Sequence, residues 1–529
     1  MSMRKLLSLI LALSMLLGCL GALAEDRAME GNMYVEGLPI VKDAESFTML
    51  VDDSGKAEDK IMYPILEDQT NVKVDLMLFP YETAKEKMNI LISSGDYPDV
   101  IGGWLLGDSN ILTDGMTEGL YIPLDGLIEK YAPNMRKILE IPGVRQAMTL
   151  PDGHIYTIPY AISEPLVTFL PFINRDWLKA VGMEMPTTTE ELRAVLRAFK
   201  EKDPNGNGKA DEIPFSGDPN NLALGTLAGW FGVNASSAGS NPYFALVDNK
   251  LEFSANKEGF KEFIKYFASL YKEGLVDPEI FTQDLEMWKS KGKQGLYGVS
   301  IAYGAGDFYD VDVATNTTPY DPLPVLKSDY CQSPIFRRNS YGVTIFRTQV
   351  AITDKAKNPA TIIRWFDNVF ELDNSIQIQA GLFGKRSEKL NNGQYRYLDE
   401  MLLSEADREK YGWANMFTQS LPKYIPTELT ILPVEGQPAK YDEKKTADAL
   451  YAPYLDETIP QVWVSDQNDI DRAGVLSTDI NNYVTTKIAE WVSGEKDIEA
   501  EWNDYVAQLD KLGLTELTAI KLRALGNVK

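Results

Sequence analysis

Cysteine and histidine are nearly absent from this chain. Its 529 residues include 2 cysteines and 1 histidine. Two cysteines, Cys19 and Cys331, allow one disulfide at most, so no disulfide framework holds the fold. A single histidine excludes zinc sites built from several imidazoles. Ser/His/Asp chemistry would have to use His154, which lies in PDGHIY, where an exposed turn residue is the plainer reading. Positive charge is also scarce: 52 Lys plus Arg stand against 77 Asp plus Glu, for a net charge of -25. A nucleic-acid binder needs basic surface to displace counterions, so that class is excluded. Net charge leaves the sign of a local cleft open. Beyond the N-terminus no apolar run is long enough to span a bilayer, and no GxxxxGK[ST] phosphate loop occurs.

The N-terminal 24 residues read as an export signal. Arg4 and Lys5 precede the apolar run Leu6 to Leu17. LLGC (Leu16 to Cys19) resembles the lipobox of bacterial lipoproteins, in which Cys19 becomes the lipidated first residue. Ala22-Leu23-Ala24 fits the ordinary signal-peptidase site as the rival. With Cys19 lipidated, Cys331 has no partner within the chain.

A chain of this length exceeds one ordinary core and implies two or more lobes. Residues 25–45 are polar and read as a linker. FTMLV (Phe47 to Val51) and VKVDLMLF (Val72 to Phe79) read as strands. A helix is expected near Asp59 to Gln69. Another runs from Tyr81 to about Ser93, with Ala84, Met88 and Leu91 on one face. SGDYPDVI ends it and opens a third strand. This β-α-β-α-β order predicts a parallel sheet. Thr188 with Glu191 forms a capping-box pattern ahead of Leu192, Val195, Leu196 and Phe199. Further amphipathic helices are expected over 257–273, over 358–370 and from about Asp469 onward.

DPNGNGKADEIP (Asp203 to Pro214) follows the helix that Thr188 opens. Alternating oxygen-bearing side chains suit a chain that curls round a calcium ion. Asp203, Asn205 and Asn207 take positions 1, 3 and 5, and Gly208 takes the sharp-turn position 6. Lys209 would contribute its backbone carbonyl, and Asp211 and Glu212 complete an all-oxygen set. Pro214 stands where an EF-hand carries its bidentate Glu, so Glu212 would serve from a shorter loop. A polar Asx/Gly turn without an ion is the plainer use of these residues. No base or nucleophile lies beside the loop in sequence, so its calcium would be structural.

Six segments in order resemble the family 1 extracellular solute-binding proteins of ABC importers, in the lipoprotein-type branch. They are SGDYPDVI (Ser94 to Ile101), GHIYTIPY (Gly153 to Tyr160), INRDWLKAVGMEMPTTTEEL (Ile173 to Leu192), DPNGNGKADEIP, NPATIIRWFDNVF (Asn358 to Phe370) and the tail Ser477 to Leu514. The ion loop is similar to the calcium site of alginate-binding relatives. The resemblance implies an α/β, periplasmic-binding-protein-like fold: two discontinuous lobes joined by a multi-strand hinge, with ligand in the cleft between them. The expected boundaries are 46–165 plus 340–420 for one lobe and 166–339 plus 421–529 for the other, which carries the calcium loop. Crossings are expected near 160–172, near 334–344 and between 415 and 460.

The implied function is capture of a carbohydrate, an oligosaccharide, for delivery to permease subunits on other chains. The protein is expected to be a monomer, not an enzyme, held by its lipid at the extracellular face of the membrane or secreted. A peptide or lipopeptide binder and an exported glycosidase, which needs a spaced pair of carboxylates, are the rivals. Sugar sites pair aromatic faces with planar polar groups. Trp104 ends PDVIGGW just past a strand; Tyr303 follows a strand in SIAYGAGD; Trp230 lies in LAGWFG. These three lead the expected ligand set. Tyr160, Arg338 and Tyr341 flank the crossings and join it, with Asp96 behind them. Trp177, Trp365, Trp491 and Trp502 are expected to be structural.

Overall fold

The computed structural model describes residues 27–163, 165–219, 224–236, 241–312, 317–339, 343–418, 421–426, 429–436, 443–457, 459–460, 462–464 and 466–526. Cys19 and Tyr341 lie outside them.

In chain order the strands that matter here are β1 (Met29–Glu30), β2 (Met33–Tyr34), β3 (Glu45–Asp52), β4 (Val72–Phe79), β5 (Val100–Gly102), β6 (Thr157–Ser163) and β7 (Leu170–Asn174). They continue with β8 (Ile213–Gly217), β9 (Phe244–Val247), β10 (Lys250–Phe253), β11 (Tyr297–Ala302), β12 (Tyr320–Pro322) and β13 (Val343–Ile352). Two sheets dominate. One has five strands in the order β4-β3-β5-β13-β6; the other has four in the order β12-β7-β11-β8.

The first sheet starts as the β-α-β-α-β pattern predicts. β3 pairs in parallel with β4, from Glu45↔Val72 to Asp52↔Phe79, and with β5 on its other side. The helices Met62–Thr70 and Tyr81–Ser94 make the crossovers, and each ends on a left-handed residue, Asn71 or Gly95. β13 then runs antiparallel between β5 and β6, and its register with β6 slips between Phe346 and Val350. That slip is a bulge, and bulges bend a strand and re-aim its side chains.

The segment expected as a linker is not one over its described residues. β1 and β2 form a hairpin, and Ile40 and Val41 are fully buried. The arginine side chain of Arg27 covers the Tyr34 ring at 3.7 Å. Polar composition hid two apolar anchors that dock this segment on the first core.

The two sheets have separate cores. Phe47, Val51, Trp365 and Phe366 belong to one. Phe172, Phe199, Phe267 and Trp288 belong to the other, which also takes Leu476, Ile480 and Trp491 from the C-terminal helices. Those helices are Gln467–Ser493, Ile498–Lys511 and Leu514–Gly526. Trp177, Trp365, Trp491 and Trp502 are all buried, as core residues should be. The helix Thr189–Glu201 carries the expected capping box: Glu191 N donates to Thr188 Oγ1 at 3.1 Å, and Thr188 N donates to Glu191 Oε2 at 3.2 Å. Its last residue leads straight into the ion loop.

Candidate functional site: the carboxyl ends of two sheets

Ligands of open α/β sheets bind outside the carboxyl ends of parallel strands. In the first sheet those ends are Asp52 on β3, Phe79 on β4 and Gly102 on β5. Gly103 follows with φ +92, a left-handed conformation that favours glycine. A Cβ there would also collide with Asp52 Oδ1. This tight passage delivers Trp104, which is 47% exposed. Its backbone N–H donates to Asp52 Oδ1 at 3.0 Å. Its ring meets Phe346 of β13 edge-on, with centroids 5.2 Å apart.

Two buried polar side chains and a largely buried arginine lie near this strand end. Asp52 is 4% exposed, and burial raises its pKa, with the Trp104 N–H opposing. Its Oδ2 has no hydrogen-bond partner; neither has Arg347 Nη1 or Gln349 Oε1. Arg347 and Gln349 occupy the β13 bulge, where Gly103 N donates to Gln349 O at 2.9 Å. Sequence reading passed over all three. Asp52 was the most accessible signal: it closes an apolar strand with a carboxylate. The bulge left no local mark.

In the second sheet β11 ends at Ala302, and Tyr303 follows, 37% exposed. Phe169 packs on it at 5.8 Å, and Lys444 sets its ammonium 3.7 Å from the ring centroid. Each of the two sheets therefore presents one partly exposed aromatic just past the carboxyl end of a strand.

Other expected residues fall elsewhere. Trp230 is 1% exposed inside the second core, with Nε1 unpartnered and its carbonyl accepting from Ser328 Oγ at 2.8 Å. It offers no face to a ligand, which corrects the sequence expectation. The glycine before it allows close packing: a Cβ at Gly229 would strike the Ile335 carbonyl. Arg338 is half-buried, and both its N–H and its Nε donate to Asp456, at 2.9 and 3.2 Å. Asp96 lies at the opposite end of β5 from Trp104, in the exposed turn after a helix. The Tyr160 backbone pairs with Phe346; its side chain lies outside the described residues, as does Tyr341. His154 is an exposed turn residue whose Nδ1 lies 3.0 Å from Asp125.

The ion loop folds back on itself. Asp203 has φ 47, and Gly206 and Gly208 are left-handed too. Asp203 Oδ1 accepts from Asn207 N and Oδ2 from Gly208 N, while Asn207 Nδ2 donates to Asp211 at 3.0 Å. Lys209 N donates to Asn207 Oδ1, and its side chain is exposed. Amide donors, Asn207 foremost, hold Asp211 below the usual carboxylate range. Glu212 behaves oppositely: burial, then the charges of Asp203 and Asp211, push it up. Its Oε1 is buried without a partner. Among the described residues no group of three or more His, Cys, Asp or Glu is gathered at metal-binding spacing. The all-oxygen donor set, the mutual repulsion of its carboxylates and the orphaned Glu212 oxygen fit a hard cation.

Residues 53–373, more than half of the chain, match the family described as bacterial extracellular solute-binding protein. The chain belongs to that family. Among curated proteins, the fructooligosaccharide ABC transporter substrate-binding protein FusA of Streptococcus pneumoniae is 33% identical over 493 residues, covering 88% of this solute-binding protein and 86% of FusA. The solved structure of a FusA EF-hand mutant in complex with fructo-nystose matches with a TM-score of 0.74 at 30% identity, covering 90% of this chain and 98% of that one. A human-milk-oligosaccharide (HMO)-binding protein from Bifidobacterium longum infantis shares the fold, with a TM-score of 0.77 over 92% of this chain and 99% of that one at 23% identity. The solute-binding protein thus has the periplasmic-binding-protein-like architecture of two α/β lobes with a cleft between them.

Proposed function

We propose that this solute-binding protein captures an oligosaccharide between Trp104 and Tyr303 and delivers it to the membrane subunits of an ABC importer. The single observation that carries the reading is the exposed Trp104 at the carboxyl end of β5, held out by Gly103 and Asp52. Aromatic faces cover the C–H surfaces of sugar rings, and nearby polar groups take hydroxyls. FusA, similar over most of the chain, is named for fructooligosaccharides. The lobes are read as 46–165 plus 340–420 and 166–339 plus 421–529. The two separate cores, which change over between Ile158 and Val167 and between Phe336 and Val350, support that division. Calcium in the loop Asp203, Asn205, Asn207, Lys209, Asp211 and Glu212 is read as a fastener of the second lobe. Cys19 is read as the lipid anchor at the extracellular face, with a monomer as the working state. No chemistry is assigned to the chain.

Isothermal calorimetry with kestose, longer fructooligosaccharides, other oligosaccharides and peptides tests this. Saturable binding of an intact sugar is expected. Binding of peptides alone, or steady release of sugar products, would overturn it.

A further inference from the structure

The segment from Leu455 to the helix Gln467–Ser493 touches both cores. At its start, Leu455 bridges in parallel to Phe336, and Asp456 accepts from Arg338 and from Asn234 Nδ2. Trp463 then inserts into a cluster on the first sheet, with Leu50, Ile101, Leu105 and Ala351, and is 5% exposed. Its indole N–H donates to the Ala147 carbonyl at 2.8 Å. Ile470, one turn into the helix, packs on the same cluster. From Ala473 onward the helix packs on the second core. The strap therefore leaves the second lobe, docks one tryptophan on the first, and returns.

Its docking point is the β13 bulge. The Arg347 guanidinium covers the Trp463 ring at 4.0 Å. The opposite use of Arg347 is an ion pair with Asp108, including Nε to Oδ1 at 3.1 Å. Trp463, Arg347 and Asp108 thus form a stack. Arg347 follows Phe346, the ring against which Trp104 packs. Thr157 Oγ1 donates to the Arg347 carbonyl at 2.6 Å, and Gly103 N to the Gln349 carbonyl. A bulge lacks regular ladder bonds, so its shape depends on side-chain contacts such as these. A cation–π contact with a largely buried arginine favours one bulge geometry over another.

We infer that Trp463 is a positioning residue for ligand capture. Carried from the second lobe, it fixes Arg347 in the β13 bulge, and through Phe346 it sets the attitude of Trp104. Because the strap belongs to one lobe and its tryptophan to the other, the same contact couples the relative placement of the lobes to the readiness of the sugar-facing indole. This rests on the reading of Trp104 as a ligand surface.

The test uses the full mature chain labelled with 5-fluorotryptophan, with the Trp104 resonance assigned by W104F. Trp463→Ala is expected to shift the Trp104 resonance and to raise amide exchange at least tenfold over 103–108 and 344–349, leaving the helix Thr189–Glu201 unchanged. Kestose affinity is expected to fall at least tenfold. Trp463→Phe, which keeps a ring for Arg347, is expected to stay within about threefold of the parent protein in all three readouts. An unmoved Trp104 resonance, or an exchange increase spread evenly over both sheets, would overturn the inference. So would an unchanged affinity for any sugar the parent protein binds. If the parent protein binds no sugar, the proposed function fails, and the fluorine and exchange readouts still decide the role of Trp463.

Discussion

The Trp104 backbone N–H donates to Asp52 Oδ1 at 3.0 Å, joining the last residue of β3 to the chain just past its neighbour β5. The bond turns the chain at Gly103 and leaves the indole in solvent. Trp104→Ala is therefore expected to lose binding and keep stability. Buried aromatic anchors contribute about 2 kcal/mol or more at interfaces, so kestose affinity should drop roughly 10- to 100-fold. The melting temperature should move by about 2 °C at most. Calorimetry and a thermal scan on the same sample check both.

Gly103 permits that turn. Gly103→Ala places a methyl against Asp52 Oδ1 in a backbone conformation that alanine rarely adopts. Strain of this kind costs of order 1–3 kcal/mol. The variant is expected to lose stability and sugar affinity together, unlike Trp104→Ala. Denaturant titration beside calorimetry shows whether the two losses travel together.

Trp230 is expected to behave in the reverse way. It is 1% exposed in the second core, so Trp230→Ala opens a cavity and should cost about 3–5 kcal/mol. Any protein that remains folded should keep its sugar affinity within about threefold. An affinity loss larger than the stability loss would return Trp230 to the cleft.

Sequence and structure agree where local chemistry decides. The capping box at Thr188 follows from residues three positions apart, and the parallel start of the first sheet from the order of its strands and helices. The exposed position of Trp104 was legible because a strand, two glycines and an aromatic stand together. Trp230 has similar neighbours, yet its glycines serve contact with Ile335, a residue far along the chain. Arg347 and Trp463 were illegible for the same reason: their partners lie more than 100 residues away. The linker reading failed because the apolar residues that become buried, Met33, Ile40 and Val41, are too few to set either a helix or a strand period.

Asp367 gives a pH-dependent prediction. It is 6% exposed and caps the helix Pro133–Leu139, accepting from Asn134 N and Met135 N at 2.9 Å each. Burial pushes it up to about 6, above the ordinary aspartate value near 4. The folded state then holds a proton more tightly than the unfolded chain does. The sign follows: this contribution is fully present below about pH 4 and is lost as pH rises through about 6. Asp367→Asn keeps an acceptor for both N–H groups and carries no charge. Relative to that variant, the parent protein should lose about 2–3 kcal/mol between pH 4 and pH 7. Denaturant midpoints of the pair across that range check it, since the other carboxylates are common to both.

The ion loop yields the prediction that separates scaffold from site. Asp203, Asp211 and Glu212 share one loop, and burial, followed by the charges of Asp203 and Asp211, already pushes Glu212 up. A bound calcium ion offsets that repulsion only in the folded chain, so it stabilises by mass action, by about 2.7 kcal/mol at a hundredfold excess over its Kd. The loop follows the helix Thr189–Glu201, whose Val195, Leu196 and Phe199 pack in the second core. Chelation should therefore lower the melting temperature by several degrees. The residues proposed to face the sugar, Trp104 and Tyr303, follow β5 and β11, not this loop, so kestose affinity should change less than about threefold. Asp203→Asn should reproduce the chelated melting temperature and make it insensitive to further chelator. A large affinity loss with an unchanged melting temperature would instead place the ion at the ligand.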